Sequence, residues 1–227
     1  MEKTFDWFGE RGISLQRTGS EREYAGAVEG VDNVTLVLLS AGEIPRELAA
    51  GRIHLGVTGT DLVHEKLALW DQQIEAIAEL GFGEADLIIA VPQAWIDVDT
   101  LDDLDAAASA FRDKHGFRLR IATKYHRLVR EFLRSTGVAD YALVDSQGAT
   151  EGTIKNETAE VVADITSSGE TLRANHLKIL RDAPILRSQA TLFASHVAEW
   201  SEGSVSIANE LAARMSVDPF TPATDAP

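Results

Sequence analysis

The sequence predicts an α/β fold with mostly parallel sheets. Short apolar runs alternate with amphipathic segments along the chain, which is the order expected when each strand is followed by a helix. Several of the apolar runs end in turns that are rich in glycine, hydroxyl and acidic residues. Neither a coiled-coil heptad nor an internal repeat interrupts this alternation, so a globular α/β protein is expected.

Strands are expected where apolar residues run together between turn residues. They fall at residues 34–39, 53–57, 74–80, 86–91, 118–123, 141–144, 161–163 and 190–194. Helices are expected where apolar positions recur with helical spacing. They run from the start of the chain to Gly12 and over residues 44–50, 61–69, 100–114, 126–135, 172–180 and 207–215. The strand at 34–39 is expected to be buried, and the tail from Phe220 to be frayed.

Composition excludes several classes of function. The net charge of −15 argues against nucleic acid as a partner, because phosphate backbones need basic patches. The absence of cysteine excludes disulfides, thiolate catalysis and cysteine-bound metals. No stretch approaches the roughly 18 apolar residues of a membrane span, and the charged start does not read as a signal peptide. No membrane association and a cytoplasmic location are therefore expected.

The most informative stretch covers residues 164–171. An apolar run ends in Asp164, and hydroxyl, glycine and acidic residues follow: Thr166, Ser167, Ser168, Gly169, Glu170 and Thr171. Backbone N–H groups at a helix start favour a phosphate, and an acid at a strand end suits a ribose hydroxyl or a magnesium-bound water. An ordinary helix capped by Thr171 or Ser168 would explain the same residues.

Similar turns follow other strands, at Gly59-Thr60-Asp61 and at residues 148–151. Ligands of open α/β sheets lie beyond the carboxyl ends of the strands, so these turns favour a nucleotide or sugar-phosphate pocket. Lys124 would either contact a phosphate there or be solvated. Phe82, between two glycines, would either stack on a base or pack in the core. The 6 histidines have no spacing typical of a metal site.

Taken in chain order, a series of these segments resembles the ATP phosphoribosyltransferases, which carry out the first committed step of histidine biosynthesis. The matching segments are Ile44-Pro45 with residues 51–65, Leu80-Gly81-Phe82-Gly83 with residues 87–92, and residues 121–125, 148–151 and 164–172. The resemblance implies a two-lobed fold like type II periplasmic binding proteins, with the active site in the cleft. Domain I is expected at 1–90 plus 186–227 and domain II at 91–185, with crossovers near Pro92 and Pro184.

The resemblance also implies the chemistry. The phosphoribosyl group of phosphoribosyl pyrophosphate would pass to N1 of ATP with Mg²⁺, releasing pyrophosphate. Glu151 and Asp164 would be catalytic, holding the ribose hydroxyls, and residues 166–171 would hold the 5′-phosphate. ATP would be bound by Gly59, Thr60, Asp61, Phe82 and Gly83; the metal ligands stay unidentified. The alternative is a non-enzymatic two-lobed module that binds a small anion.

The chain departs from the family pattern at both ends. Long members carry a C-terminal regulatory domain that binds histidine, so this chain resembles the short form. That form implies a homodimer of catalytic chains within a hetero-oligomer that contains a histidyl-tRNA-synthetase-like regulatory subunit. The family also opens with a strand and a Lys-Gly-Arg turn ahead of the helix that begins here at Glu2. Without that strand, we expect bare hydrogen-bonding edges, exposed apolar faces and impaired activity.

Overall fold

The computed structural model describes residues 1–17, 25–146, 150, 152–182 and 184–221. The chain forms two compact units: unit 1 comprises Met1–Gly83 and Gln189–Pro227, and unit 2 comprises Glu84–Ser188. Pro92 and Pro184, where crossovers were expected, both lie inside unit 2. The reason is that one unbroken strand, Ala85–Pro92, already belongs to the sheet of unit 2.

The helices and strands alternate along much of the described chain. In chain order they are α1 (Glu2–Gly9), β1 (Ser14–Arg17), β2 (Ala25–Glu29), β3 (Thr35–Val37), α2 (Ile44–Ala49), β4 (Leu55–Gly59), α3 (Thr60–Lys66), α4 (Trp70–Gln73), β5 (Ile74–Glu79), β6 (Ala85–Pro92), α5 (Leu101–His115), β7 (Leu119–Thr123), α6 (His126–Thr136), β8 (Tyr141–Asp145), α7 (Gly152–Lys155), β9 (Val161–Thr166), α8 (Glu170–Ala174), β10 (Leu177–Ile179), β11 (Leu186–Ser188), β12 (Ala190–Ser195) and α9 (Glu202–Met215).

Unit 1 contains a pair of three-stranded sheets. One is an antiparallel sheet in the order β1-β2-β3. The other has the order β4-β12-β5, in which β12 is antiparallel to both neighbours. β12 comes from the far end of the chain, and its central residues Leu192, Phe193 and Ala194 are fully buried. The second sheet is therefore completed only when the chain returns from unit 2.

Unit 2 is built on a six-stranded sheet in the order β10-β6-β9-β7-β8, with β11 also paired to β6. β7 is parallel to β8 and β9, whereas β6 is antiparallel to β9, β10 and β11. The predicted α/β class is confirmed. Among the described strands, parallel pairing is confined to β9, β7 and β8, and β6 is antiparallel to each of its neighbours.

Helices α5 and α6 cover a face of the unit 2 sheet. Leu104 and Ala108 of α5 and Val129 and Leu133 of α6 pack with the strands in one buried cluster that includes Ile121. Burial of these side chains makes the main favourable contribution to the free energy of folding of unit 2. Among the helices that the structure describes, none has both the length and the apolar character to cross a bilayer.

Several predicted elements are wrong in detail. The expected helix at 172–180 is α8 followed by β10, because the chain reverses at His176, whose φ is +57°, and β10 then pairs with β6. The expected buried strand at 34–39 is the short β3, in which Thr35 and Val37 are exposed. The helix expected at 61–69 is the shorter α3, which ends at Lys66, and the separate short helix α4 begins only at Trp70. The hairpin of β1 and β2 was missed because its residues form no continuous apolar run.

The start of α5 gives a stability prediction that depends on pH. Asp103 accepts hydrogen bonds from the Thr100 hydroxyl and from the backbone N–H groups of Asp99 and Thr100, and these bonds hold the pKa of Asp103 below its usual range. Because the folded pKa lies below the unfolded value of about 3.9, the stabilisation is complete above that value and is lost as pH falls through the folded pKa.

We therefore expect Asp103→Asn to lower Tm at pH 7, with a difference from the native chain that shrinks as the pH drops below about 4. Thermal unfolding at a series of pH values measures this. Asp113→Asn, on the exposed face of the same helix, is the matched control and should leave Tm nearly unchanged. A difference for Asp103→Asn that is the same at pH 3 and pH 7 would contradict the argument.

Candidate active site

The carboxyl ends of β7, β8 and β9 lie at one edge of the unit 2 sheet, because these strands are parallel. The first two ends are tied together by a hydrogen bond from the Ser146 N–H to the Thr123 carbonyl, at 3.2 Å. Polar side chains follow at each end: Lys124 after β7, Asp145 at the end of β8 and Asp164 within β9. We call this group of side chains, together with residues 166–171, the unit 2 polar cluster.

Asp164 is held in one orientation. Thr150 Oγ1 donates a hydrogen bond to Asp164 Oδ2 at 2.5 Å, and the Ile165 N–H donates to Oδ1 at 2.8 Å. Lys124 Nζ lies 3.5 Å from Oδ1. The carboxyl side chain remains 18% exposed, so one side of it is open to solvent. A carboxylate that is fixed and still accessible can accept hydrogen bonds from a ligand without reorganising.

Two buried hydroxyl groups are connected to the Asp164 carboxylate by hydrogen bonds. Ser146 Oγ donates to Thr150 Oγ1 at 2.7 Å, and Thr150 in turn donates to Asp164. Thr150 is 1% exposed and Ser146 7% exposed. Sequence reasoning missed both roles, because a hydroxyl residue in a turn carries no sign of whether it will be buried. Glu151, the other predicted catalytic acid, lies outside the described residues, as do residues 148 and 149 of the same turn.

The turn after β9 is shaped by its own hydroxyl groups. Thr166 Oγ1 accepts a hydrogen bond from the Gly169 N–H at 2.9 Å, and Ser168 Oγ accepts one from the Glu170 N–H at 3.2 Å. Gly169 has a φ of +67° and is itself the N-cap residue of α8. The alternative of an ordinary capped helix expected Thr171 or Ser168 at the N-cap. That choice of residue is wrong, because Gly169 occupies the N-cap position.

The surface of this turn is open to solvent. Ser167, Ser168, Glu170 and Thr171 are exposed, while Gly169 is buried beneath them. Lys124 is about half exposed, and its ion pair with Asp164 places it beside the turn rather than free in solvent. At the same edge, His126 Nε2 lies 2.6 Å from Asp145 Oδ1. The structure therefore brings together the predicted residues 164–171 and Lys124 in unit 2.

The predicted ATP-binding residues all lie in unit 1. The Thr60 N–H donates to the Gln189 carbonyl at 3.2 Å, and the Phe82 carbonyl accepts from the Ala190 N–H at 3.0 Å. Residues 59–61 and 82–83 therefore both lie beside the start of β12. The Asp61 side chain is buried at 6% exposure, and Phe82 is half buried against the apolar cluster of Leu192 and its neighbours. These contacts support the alternative in which Phe82 packs in the core.

An α/β fold that gathers a fixed carboxylate, hydroxyls and a glycine turn at the carboxyl ends of parallel strands is typical of proteins that bind phosphorylated small molecules. The family described as HisG, ATP phosphoribosyltransferase, matches residues 40–216, and the chain belongs to this family. Its members catalyse the first step of histidine biosynthesis. The predicted family and the predicted enzyme class are confirmed, in preference to a non-enzymatic binding module.

Named relatives agree with this assignment. The chain is 77% identical over 204 residues to the ATP phosphoribosyltransferase of Cereibacter sphaeroides, a match that covers 90% of this chain and 86% of that protein. It is 53% identical over 203 residues to the ATP phosphoribosyltransferase of Bradyrhizobium sp. (strain ORS 278), covering 89% of this chain and 62% of the relative. The chain thus spans less than two thirds of the length of the Bradyrhizobium protein.

Solved structures confirm the fold class. The ATP phosphoribosyl transferase (HisG:HisZ) complex from Thermotoga maritima superposes with a TM-score of 0.70 at 18% identity, covering 95% of this chain and 90% of that one. An ABC-transporter choline-binding protein superposes with a TM-score of 0.51 at 13% identity, covering 79% and 66%. At these identities the likeness concerns the fold alone, and it agrees with the predicted type II binding-protein architecture.

The positive φ of Gly169 yields a test of the turn. An alanine there would be strained in the left-handed region, and its Cβ would lie 3.1 Å from Arg173 Nη1. We expect Gly169→Ala to destabilise unit 2 by about 1 kcal/mol, measured by urea unfolding. Gly152→Ala is the matched control, because φ at Gly152 is ordinary and no atom lies within 4 Å of the added Cβ. Equal losses for the two variants would contradict this account of the turn.

Proposed function

We propose that the unit 2 polar cluster holds phosphoribosyl pyrophosphate while its phosphoribosyl group is transferred to N1 of ATP, with release of pyrophosphate. The observation that carries the proposal is the fixed and accessible carboxylate of Asp164 beside Lys124 and an exposed hydroxyl turn, in a chain of this family. Displacement at a ribose carbon that resembles an oxocarbenium ion depends on positioning and on charge stabilisation more than on a covalent nucleophile.

The turn at 166–171 is assigned to the 5′-phosphate. The hydroxyls of Thr166 and Ser168 hold the turn in shape by accepting the N–H groups of Gly169 and Glu170. The exposed hydroxyls of Ser167 and Thr171 then serve as donors to the phosphate. Because the chain carries a net charge of −15, an anionic substrate needs such local donors, and Lys124 adds a positive charge next to them.

The carboxylates Asp164 and Glu151 are assigned to the ribose hydroxyls. A negative charge beside the ring also favours the positive charge that develops there in the transition state. Thr150 and the Ile165 N–H hold Asp164 in place before substrate arrives, so little free energy is spent on orienting it.

ATP is assigned to Gly59, Thr60, Asp61, Phe82 and Gly83. Both segments lie next to the start of β12 in unit 1, which supports their acting together. N1 of adenine carries a lone pair at neutral pH, so no general base is assigned. The side chain of Thr60 already contacts the Gln189 carbonyl and the Thr191 hydroxyl, and the backbone of these turns is therefore the more available part.

Mg²⁺ is the proposed metal ion. The described residues contain no group of three or more histidine, cysteine, aspartate or glutamate side chains that would enclose a cation. They fit an ion that is held mainly by substrate phosphates and water, because magnesium of that kind needs only one or two carboxylates. Asp164 is the described residue that would contribute one. When bound, the ion would neutralise charge on the departing pyrophosphate.

The proposed assembly is a homodimer of catalytic chains within a hetero-oligomer, with a histidyl-tRNA-synthetase-like regulatory subunit and a cytoplasmic location. Support comes from the structural neighbour, which is a HisG:HisZ complex. In this arrangement, control by histidine resides mostly in the partner subunit.

The proposal is tested by a magnesium-dependent assay of ATP plus phosphoribosyl pyrophosphate that follows the absorbance of phosphoribosyl-ATP, with and without the regulatory subunit. We expect Asp164→Asn to lower kcat/KM for phosphoribosyl pyrophosphate by about 100-fold or more, as for loss of one charged group that acts on the transition state. Asp113→Asn, an exposed acid on α5, should leave it unchanged. A folded Asp164→Asn enzyme with native kinetics would overturn the assignment.

The buried hydroxyl behind Asp164 gives a finer prediction. Thr150→Val keeps the size of the side chain but removes its donor to the carboxylate, so we expect kcat/KM to fall about tenfold, as for one hydrogen bond to a charged group. Thr158→Val is the matched control, since the exposed Thr158 hydroxyl donates only to the Thr153 carbonyl. If both variants lose activity equally, the effect is general destabilisation rather than release of Asp164.

A further inference from the structure

The unit 2 polar cluster, as described so far, has little positive charge for the phosphate assigned to it. Lys124 lies 3.5 Å from the Asp164 carboxylate, so this pair adds no net charge. Glu170 adds an exposed carboxylate within the turn itself. A phosphate monoester carries a charge of about −1.5 to −2 at neutral pH. In a chain of net charge −15, the turn therefore needs a cation that no acidic side chain already engages.

Arg173 lies one helical turn beyond Gly169. The Arg173 N–H donates to the Gly169 carbonyl at 3.0 Å, so the two residues lie on the same side of α8. Side chains of a helix lean toward its N-terminal end. The Arg173 side chain therefore runs back toward the turn at 166–171 rather than away from it.

The position of the Arg173 guanidinium is given by its distance from Gly169. A Cβ built on Gly169 would lie 3.1 Å from Nη1 and 3.9 Å from Cζ of Arg173. The guanidinium thus occupies the space beside the backbone of the turn that a side chain at position 169 would fill. The glycine at this position is what allows the positive charge to lie against the turn.

No acidic side chain holds this guanidinium. In the described part of the chain, Arg173 takes part in no ion pair. This includes Glu170, three residues earlier on α8, although that spacing permits a pair. Arg173 is exposed, so the N–H donors of its guanidinium are available to a ligand.

Packing alone does not account for an arginine at this position. The methylene groups of the side chain can cover apolar surface, but an uncharged side chain would do the same. A guanidinium differs in presenting a planar fork of donors that matches a pair of phosphate oxygens. The hydroxyls of Ser167 and Thr171 are exposed on the same turn, so the guanidinium adds a charged donor to neutral ones.

We propose that Arg173 is a further substrate-binding residue, whose guanidinium pairs with the 5′-phosphate of phosphoribosyl pyrophosphate at the turn 166–171. This inference rests on the proposed function, because it adds a residue to the same site. The 5′-phosphate takes no part in the bond that breaks, so the contact is equally strong in the ground state and the transition state. Such a contact lowers KM and leaves kcat nearly unchanged.

The test measures the Kd of phosphoribosyl pyrophosphate with Mg²⁺ by calorimetry in the absence of ATP, and then the kinetics with the regulatory subunit present. We expect Arg173→Gln to raise Kd and KM for phosphoribosyl pyrophosphate about 30-fold, as for loss of a charge-assisted contact. The values of kcat and of KM for ATP should change by less than about twofold.

Arg118→Gln is the matched control. Arg118 is also exposed and has no ion pair in the described part of the chain, but it lies directly ahead of β7, at the opposite end of that strand from Lys124. It removes the same charge from the chain, so it measures the effect of net charge alone. This variant should leave every one of these constants at its native value.

A second pair of variants separates charge from packing. Arg173→Lys keeps the charge without the planar fork, so it should recover part of the lost affinity. Arg173→Met keeps the apolar part of the side chain and should bind as weakly as Arg173→Gln. Native binding by Arg173→Met would show that the residue serves packing and would overturn the proposal.

Phosphorus NMR of the bound substrate identifies the phosphate concerned. A neighbouring guanidinium favours the dianion of the 5′-phosphate and so lowers its pKa. At saturating substrate, we expect this pKa to be higher by about 1 in Arg173→Gln than in the native chain. The pyrophosphate resonances should titrate alike in both. A change confined to the pyrophosphate resonances would assign Arg173 to the other end of the substrate and overturn the proposal.

Failure of this inference is distinguishable from failure of the assigned reaction. If the native chain neither binds phosphoribosyl pyrophosphate nor forms phosphoribosyl-ATP, the proposed function fails and the role of Arg173 fails with it. If the native chain does both and Arg173→Gln has the native Kd, only the assignment of Arg173 is wrong.

Discussion

The insertion of β12 between β4 and β5 is the interaction on which unit 1 depends. This strand bonds to a neighbour on each side and is buried on both faces, and it enters unit 1 only after the chain has passed through all of unit 2. Gln189, just ahead of β12, and Ala190, its first residue, also make backbone hydrogen bonds with Thr60 and Phe82. Pairing across so long a stretch of sequence carries a loop-closure cost, so we expect it to form late in folding.

Unit 2 exposes polar groups at one edge of its sheet while the middle of the sheet stays buried. Parallel β7, β8 and β9 bring their carboxyl ends together, and the buried hydroxyls of Ser146 and Thr150 satisfy one another while they orient Asp164. Both of these buried hydroxyls donate a hydrogen bond, which avoids the cost of an unsatisfied donor. In a chain of net charge −15, the ion pair with Lys124 also offsets some of the local negative charge.

The two units differ in how well particular strands are covered along both edges. In unit 2 the middle of β6, from Leu87 to Val91, is buried almost completely by strands on either side and helices above. In unit 1 the strand β4 pairs with β12 along one edge, and no strand among the described residues pairs with its other edge. Unpaired edges favour association with other chains, so handling of this polypeptide at high concentration is expected to be more difficult than its apolar content alone would suggest.

The sequence by itself determined the α/β class, the order of most strands, and the family, because turns such as 164–171 and 80–83 are encoded by residues that are adjacent in the chain. It also predicted a binding role for Asp164 from its place at the end of an apolar run. It did not determine that β12 lies between β4 and β5, that residues 177–179 leave the helix to pair with β6, or that Val37 is exposed. Nor did it show that Thr150 is buried behind Asp164. These features depend on pairing and burial between segments far apart in sequence, and local spacing cannot specify them: Leu172, Leu177 and Leu180 suit a helix face as well as a short helix followed by a strand. Only the tertiary structure decides which neighbour each segment finds.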